Sequence, residues 1–251
     1  MSGPVRRYVE RQNAFQAWGQ YATAKGSRQT RIEIWLEELA PTFSNGSVRV
    51  LDLGCGDGRS IDVFSSAMPA AKWHGVDIEG SPEVATRIRT DRQFDTFNGT
   101  ELPYPDAHFD LIYSRQVFEH VRHPDALAKE VARVLRRGGA FLGEVSYLEP
   151  YHSLSIFNFT PFGMISVLRD AGLDPTELRP GIDGLSLIAR QMLGGAKWLD
   201  FLFKASPLNG LISLFGTAAM LTSEHKAFLK LQYCGQFSFL AVRHDDSSIF
   251  E

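Results

Sequence analysis

The stretch Val50-Leu51-Asp52-Leu53-Gly54-Cys55-Gly56-Asp57-Gly58-Arg59-Ser60 decides the fold of this 251-residue chain. A short apolar run with one acid leads into three glycines at alternate positions, and a helical apolar pattern begins at Ile61. This order predicts a strand, a tight glycine turn and a helix N-terminus, where α/β sheets bind charged small ligands. Gly54 and Gly56 would let a ligand approach the backbone, and Asp52 adds an acceptor for a cationic group.

The glycine spacing separates this loop from a dinucleotide site. The nicotinamide fingerprint needs a glycine at its sixth position, where this chain has Arg59. Further apolar runs alternate with helical patterns and predict strands at Val48–Leu53, Trp73–Asp77, Asp95–Phe97, Phe109–Ser114, Ala140–Val145 and Phe237–Val242. Such alternation predicts an α/β protein with right-handed crossovers and a mostly parallel sheet.

Five more motifs follow the glycine loop in a fixed order. They are Trp73-His74-Gly75-Val76-Asp77-Ile78, Phe97-Asn98-Gly99-Thr100-Glu101-Leu102-Pro103-Tyr104-Pro105, Phe109-Asp110-Leu111-Ile112-Tyr113-Ser114, Glu119-His120-Val121 and Arg133-Val134-Leu135-Arg136-Arg137-Gly138-Gly139. Together with the loop they resemble the motifs of the class I S-adenosylmethionine-dependent methyltransferases, in the small-molecule, type 11-like branch. The resemblance covers roughly residues 45 to 175. It implies a Rossmann-like sheet of seven mostly parallel strands with helices on both faces, and S-adenosyl-L-methionine as the cofactor.

The resemblance also implies roles for individual residues. Asp77 would accept both ribose hydroxyls, although a helix cap formed with Ser81 is the alternative reading, and Ile78 would pack on adenine. Asn98 stands where the branch usually has an Asp, and its carbonyl oxygen can accept the adenine amino group. The predicted cofactor-binding residues are Asp52, Gly54, Cys55, Gly56, Asp77, Ile78, Asn98, Gly99, Thr100 and Ser114.

Two histidines are the candidate catalytic residues. Methyl transfer needs alignment first, and a proton acceptor when the nucleophile is an oxygen. His152 and His120 follow the predicted fifth and fourth strands, and the alternatives are an aromatic core histidine and a helix framework. The predicted substrate residues are Tyr151, His152, Asn158 and Phe159. No metal is predicted, because Gln116 replaces the first acid of the metal-binding pattern found in some family members.

The composition of the chain gives no sign of a nucleic-acid partner, a zinc site or a disulfide framework. The formal net charge is −3 and 44% of residues are hydrophobic, which gives no reason to expect a nucleic-acid partner. Cys55 and Cys234 lack the spacing of a zinc site or a disulfide framework, and the N-terminus has no signal-peptide core. These features favour a cytoplasmic protein with a small-molecule acceptor, and they leave the oligomeric state open.

The domain prediction is a single methyltransferase domain over residues 1–251. Its parts are an N-terminal helical lid (1–44), a cofactor-binding core (45–181), a helical insertion that caps the substrate (182–232) and the last strand with a tail (233–251). The insertion carries no charge from Ala205 to Ser223, and its prolines and glycines argue against a membrane span. Contact with a membrane interface is the second, less favoured reading of this segment.

The sequence leaves three functions open. The first is methyl transfer to the oxygen or nitrogen of a small metabolite, sugar or natural-product intermediate. The second is methylation of a lipid or lipid-linked glycan at a membrane surface, which the uncharged insertion suggests. The third is a non-catalytic regulatory protein that binds the cofactor, because no catalytic base stands out unmistakably in the sequence.

Overall fold

A computed structural model describes residues 3–43, 47–151 and 153–244. Within them the chain forms two compact units. One comprises Ile32–Gly143, Val167–Asp174 and Leu240–Glu251, and is called here the loop unit because it contains the glycine loop. The other comprises Met1–Arg31, Glu144–Ser166 and Pro175–Phe239, and is called the helical unit.

The secondary structure alternates through the middle of the chain and is helical at the start and before the last strand. The strands are β1 (Arg49–Leu53), β2 (Lys72–Ile78), β3 (Gln93–Phe97), β4 (Phe109–Arg115), β5 (Leu135–Ser146), β6 (Leu173–Pro180) and β7 (Gln236–Arg243). The α-helices are α1 (Pro4–Glu10), α2 (Asn13–Trp18), α3 (Ile32–Leu39), α4 (Ser60–Ala67), α5 (Pro82–Ala85), α6 (Pro124–Val134), α7 (Pro161–Asp170), α8 (Gly184–Met192), α9 (Pro207–Ala218) and α10 (Ser223–Tyr233). Short 3₁₀ helices lie at Gly19–Tyr21, Lys25–Ser27, Ala40–Phe43, Phe118–His120 and Lys197–Phe203.

The strands form one sheet in the order β3-β2-β1-β4-β5-β7-β6. β1 pairs in parallel with both β2 and β4, and β2 pairs in parallel with β3. The chain beside β7 pairs in the opposite sense, because Tyr147 donates to the carbonyl of Gly235 and Leu148 donates to that of Cys234. The predicted Rossmann-like, mostly parallel α/β sheet of seven strands is therefore confirmed.

Two strands differ from the sequence prediction. β5 begins at Leu135 rather than Ala140, and so includes the Gly138-Gly139 pair that reads as a turn. Gly138 has a φ of +67°, so the strand continues through a local kink that a residue with a side chain rarely adopts. β6 was not located from the sequence, because Pro175 and several charged residues interrupt its apolar pattern. It lies at the end of the sheet, where proline is tolerated.

The core of the loop unit is built from α3, α4 and the apolar faces of the neighbouring strands. Ile32, Trp35 and Leu36 are buried along one stripe of α3, as the spacing predicts. They belong to one cluster with Ile61 and Phe64 of α4. This packing holds β1 and α4 in place, and the glycine loop connects the two elements.

Polar contacts tie the elements of the helical unit together. Gln29 accepts hydrogen bonds through its Oε1 atom from the side chains of Ser206 (2.7 Å) and Asn209 (2.8 Å) at the start of α9. Asp183 caps α8 by accepting from the backbone N–H of Ser186 (2.8 Å), and it also accepts from that of Leu208 (3.2 Å). No helix in the described part of the chain has the length and apolar character needed to cross a membrane.

Candidate active site

The carboxyl ends of three strands define the candidate site. In the sheet, Leu53 at the end of β1 is in register with Val76 of β2 and with Ser114 of β4. The chain leaves β1 towards β2 on one side and later reaches β4 on the other, so the strand order reverses at β1. Crevices at such a reversal are where open α/β sheets bind their ligands.

The glycine loop needs residues without a side chain. Gly54, Gly56 and Gly58 have φ values of +73°, +52° and +84°, in the left-handed region that favours glycine. A Cβ atom on Gly54 would lie 2.2 Å from Cγ2 of Val117, in the segment after β4. The loop can therefore turn tightly and approach the neighbouring segment, and it leaves backbone groups at the N-terminal end of α4 facing the crevice.

Asp77 lies at the end of β2 and holds the loop. Its Oδ2 atom accepts from the backbone N–H of Gly56 and its Oδ1 atom accepts from that of Ile78, both at 2.7 Å. Ser81 instead bonds to Glu83 (3.0 Å), so its hydroxyl is engaged elsewhere. Burial raises the pKa of Asp77, and the two backbone donors oppose that shift. Each carboxylate oxygen keeps a lone pair, so Asp77 can still accept two hydroxyl groups.

Asp52 is the second buried acid near the loop. The Ser60 hydroxyl at the start of α4 donates to its Oδ2 atom. Burial, followed by repulsion from Asp77, raises the pKa of Asp52 to about 7, and the bond from Ser60 acts in the opposite direction. A cation placed beside Asp52 would stabilise its ionised form, so the site favours a positively charged ligand group.

The segments after β2 and β3 supply an apolar surface and a polar turn. Ile78 is 44% exposed although it directly follows a buried strand segment, which is typical of a side chain that packs on a flat ligand. The Oδ1 atom of Asn98 accepts from the backbone N–H groups of Thr100 (2.9 Å) and Glu101 (2.7 Å). These two bonds use both lone pairs of that oxygen, so the amide shapes the turn that carries Gly99 and Thr100.

The end of β4 carries a buried hydroxyl group and is followed by a residue with a positive φ angle. Ser114 is 1% exposed and, within the described ranges, its Oγ atom has no hydrogen-bond partner. Gln116 has a φ of +56°, a strained conformation for a residue with a side chain. Strain of this kind clusters at ligand-binding segments, where the surrounding structure maintains it.

Arg87 was not identified from the sequence, yet it also contacts the backbone of the glycine loop. Its guanidinium donates to the carbonyl oxygen of Gly56 at 2.6 and 2.8 Å, and it lies over the ring of Phe94 at 4.0 Å. The Cys55 thiol, 3.5 Å from Arg87, is buried, and burial raises its pKa. Cys55 therefore contributes its backbone to the loop rather than a reactive thiolate.

A second arginine holds the segment after β3. Arg133 of α6 donates to the carbonyl oxygens of Leu102 (3.0 Å) and Tyr104 (2.8 Å). It also forms a close pair with Glu130 (2.7 Å), and Glu130 accepts from the backbone N–H of Leu102 (2.9 Å). The turn that begins at Asn98 is thus anchored to a helix of the same unit.

The predicted catalytic and substrate residues fall in both units. His120 ends the 3₁₀ helix after β4 in the loop unit and is partly buried, while His152 lies outside the described residues. Tyr151 and Asn158 are exposed in the helical unit, and the Asn158 amide donates to the backbone oxygen of Glu149 (2.8 Å). Phe159 is buried. No cluster suited to a metal ion occurs among the described residues, and the absence of a metal stays a prediction.

The donor set fits S-adenosylmethionine better than a pyrophosphate. Two acids, Asp52 and Asp77, lie beside the loop, and they would repel a polyanion while attracting a sulfonium or an ammonium group. The exposed Ile78 and the remaining acceptor capacity of Asp77 suit the adenine and ribose of a nucleoside. The sheet order and this loop together define a class I methyltransferase fold.

Comparison with known proteins agrees with that class. Residues 51–143 match a family model described as a methyltransferase domain. A probable S-adenosylmethionine-dependent methyltransferase from Mycolicibacterium smegmatis is 28% identical over 67% of this chain and 73% of its own. The 27-O-demethylrifamycin SV methyltransferase of Amycolatopsis mediterranei is 30% identical over 49% of this chain and 46% of its own. Further mycobacterial methyltransferases match over about half of their own length.

A solved structure shares the fold. The 1,6-didemethyltoxoflavin-N1-methyltransferase of Burkholderia thailandensis, with bound S-adenosylhomocysteine, has a TM-score of 0.52 and 17% identity, covering 85% of this chain and 79% of its own. Residues 51–143 therefore match a methyltransferase domain, and the relatives of the chain include probable S-adenosylmethionine-dependent methyltransferases.

Proposed function

We propose that this chain transfers the methyl group of S-adenosylmethionine to an oxygen or nitrogen atom of a small organic acceptor. The observation that carries the proposal is Asp77, which holds the glycine loop at the strand-order reversal and keeps two acceptor positions for hydroxyl groups. No other described acid both contacts the loop backbone and lies at the end of β2.

The proposed cofactor contacts follow from the contacts within the loop unit. Asp77 would accept the ribose hydroxyls, and Ile78 would pack against the adenine ring. The backbone of Gly54 and Gly56 would lie along the methionine portion, with Asp52 near its positive charge. Gly99 and Thr100 would border the adenine. Because the Asn98 oxygen is engaged in its turn and one amide N–H donates to Glu101 (3.5 Å), the second amide N–H is the group that remains for the cofactor.

The chemistry requires little from the protein besides alignment. S-adenosylmethionine supplies an electrophilic methyl group on its sulfonium sulfur. The end of β4, near Ser114, is where the chain would orient an acceptor for in-line attack. For a hydroxyl acceptor, His120 or His152 would take the proton, whereas a neutral amine needs no prior deprotonation.

Two kinds of observation favour a small acceptor. The relative from Amycolatopsis and the structural neighbour from Burkholderia are named for small-molecule acceptors, one methylated on oxygen and one on nitrogen. In the chain itself, the segment after β5 exposes aromatic side chains beside polar ones, among them Tyr151, Phe157 and Asn158. This mixture is typical of pockets for small organic molecules.

A lipid or lipid-linked acceptor is the second candidate. The exposed apolar side chains of the helical unit favour it, including Leu154, Ile156, Leu185 and Met192. Such a surface would lower the cost of bringing a long acyl chain out of a bilayer. Labelling with a radioactive or isotopic methyl group separates the two candidates, because polar and lipid products partition into different phases.

The experiment is incubation of the protein with S-adenosylmethionine labelled in its methyl group and an extract of small metabolites, followed by an organic and aqueous separation. We expect a labelled product in the wild-type reaction and none with the Asp77→Ala variant. Labelled product confined to the lipid phase would favour the second candidate. Cofactor binding by calorimetry without any labelled product in broad extracts would contradict methyl transfer and favour a regulatory protein.

A further inference from the structure

Helix α9 of the helical unit exposes apolar side chains and buries a polar one. Its asparagine faces the protein: Asn209 is buried and donates to Gln29 (2.8 Å) and to the carbonyl of Gly181 (3.0 Å), whereas Thr217 is exposed. Gly216 is buried against α10, where a Cβ atom would lie 2.8 Å from the Lys226 side chain. The face of α9 that points away from the protein is therefore the apolar one.

That outer face is continuous along the helix. Five exposed residues occur at the spacing of one helical stripe, and they are Pro207, Leu211, Leu214, Phe215 and Ala218; Gly210 and Thr217 are exposed beside it. Leu214 is 66% and Phe215 64% exposed. A single exposed leucine needs no explanation, but a whole exposed apolar stripe on a helix that buries an asparagine indicates an interaction surface.

Helix α9 carries no charged side chain. Between Gly184 and Thr222 the charged side chains are Arg190, Lys197, Asp200 and Lys204. Arg190 pairs with Asp200 at 2.6 Å, so two lysines supply the net charge of the segment. Neither lysine has an ion-pair partner among the residues that the structure describes.

An aromatic side chain accompanies the lysines in the 3₁₀ helix Lys197–Phe203. Trp198 is 69% exposed, and Phe201 is also exposed. This helix adjoins the start of α9, because the carbonyl oxygen of Phe201 accepts from the backbone N–H of Ala205 (3.1 Å). An apolar helix face next to tryptophan and lysine has the composition of an element that lies in a bilayer interface.

We propose that α9, with the adjoining segment Lys197–Lys204, is a docking surface for an anionic lipid bilayer. Pro207, Leu211, Leu214, Phe215 and Ala218 would enter the boundary of the acyl chains, and Lys197 and Lys204 would lie among negatively charged headgroups. A second copy of the chain fits less well, because a two-fold contact places the same patch and the same lysines on both sides. The proposal does not depend on methyl transfer.

The test measures binding of the full chain to vesicles by flotation. One set contains phosphatidylglycerol and phosphatidylcholine, and the other contains phosphatidylcholine alone. We expect binding to the anionic vesicles and at least about tenfold weaker binding to the neutral ones, because each lysine near a charged surface contributes about fivefold. No binding to anionic vesicles, or equal binding to both sets, would overturn the proposal.

Variants separate the surface from the fold. The double variant Leu214→Glu with Phe215→Glu should lose at least about tenfold in partitioning, and Lys197→Gln with Lys204→Gln should lose the preference for anionic lipid. Ile88→Glu, in the loop unit, is the matched control for an exposed apolar residue and should bind as the wild type does. All variants should keep their melting temperature and their affinity for S-adenosylhomocysteine.

Two results for the α9 variant would contradict the assignment. The first is unchanged vesicle binding. The second is a wild-type dimer, seen by sedimentation velocity, that the α9 substitutions dissociate, because the face would then belong to a second copy. Failure of methyl transfer with normal vesicle binding would count against the proposed function alone.

Discussion

Asp77 combines two tasks at the scale of a single residue. It accepts from the Gly56 and Ile78 backbone N–H groups, and it presents its remaining lone pairs to the crevice. The first contact is between residues 21 positions apart in the chain, so the acid both shapes the loop and would bind the ligand. A carboxylate with two charge-assisted bonds is costly to replace, since the freed N–H groups stay partly buried.

The Asp77→Ala variant should therefore bind S-adenosylhomocysteine about a hundredfold more weakly, the equivalent of two hydrogen bonds to a charged group. Isothermal calorimetry measures the change. Asp62→Ala is the matched control, because Asp62 is an exposed acid of the same unit that pairs with Arg89. An Asp77→Ala affinity within threefold of the wild-type value would remove this residue from the site.

Asp52 makes the stability of the protein depend on pH. Its folded-state pKa is about 7, above the ordinary 3.8. Between these two values the folded protein binds more protons at this site than the unfolded chain, so the contribution to stability is complete below pH 3.8 and is lost as the pH rises through 7.

The Asp52→Asn variant should consequently gain stability relative to the wild type as the pH rises from about 5 to about 8, because the amide carries no charge to bury. Urea unfolding at both pH values gives the two differences in free energy. For Asp62→Asn, the difference in unfolding free energy from the wild type should not change with pH. A difference between Asp52→Asn and wild type that shrinks or stays constant with rising pH would contradict the raised pKa.

At the scale of elements, the β1–loop–α4 segment could be predicted because its signals are local. Three glycines at alternate positions permit the positive φ angles of a tight turn, and the following apolar spacing defines the helix. β6 could not be predicted, since Pro175 breaks its pattern and only its place at the sheet edge permits that proline.

The contact between Arg87 and the glycine loop could not be predicted from the sequence. Its partner is a backbone carbonyl 31 residues away, and any residue type supplies such an oxygen. Arg87 also lies just after α5, a helix of only four residues without a clear periodic pattern. Contacts from a side chain to a distant backbone group become visible only once the strands that carry them are placed side by side.

Arg87→Met should bind S-adenosylhomocysteine about tenfold more weakly, because the Gly56 carbonyl loses both of its guanidinium donors. The positive charge of Arg87 also lowers the pKa of Asp77, so the affinity of Arg87→Met should fall more steeply as the pH decreases. Arg87→Lys should restore the pH profile but not the full affinity, since a lysine cannot reproduce the two guanidinium hydrogen bonds to the Gly56 carbonyl oxygen.

Calorimetry between about pH 5 and 8 distinguishes these effects. Arg92→Met is the control, because Arg92 is exposed and its contacts are with Asp91. A purely structural role for Arg87 would lower the melting temperature of Arg87→Met and leave the shape of the pH profile as in the wild type.

At the scale of the whole molecule, the residues predicted to bind the cofactor and those predicted to bind the acceptor lie in different units. The residues expected to hold the cofactor lie between Asp52 and Ser114 in the loop unit, whereas those expected to hold the acceptor lie between Tyr151 and Phe159 in the helical unit. The family resemblance follows the same division, because the matched residues 51–143 lie in the loop unit. The acceptor-side residues fall outside the match, which is why the sequence identifies the cofactor but not the acceptor.

This division predicts that substitutions in the helical unit change the acceptor step alone. Tyr151→Ala removes an exposed aromatic side chain from the segment after β5 and should reduce formation of labelled product about fivefold, since a stacked ring is worth about 1 kcal/mol beyond its buried area. Its affinity for S-adenosylhomocysteine should stay within twofold of the wild-type value. Tyr8→Ala, an equally exposed tyrosine of α1 in the same unit, should change neither quantity. If Tyr151→Ala weakened cofactor binding as much as product formation, the two tasks would share residues, and the acceptor would have to be sought beside the glycine loop.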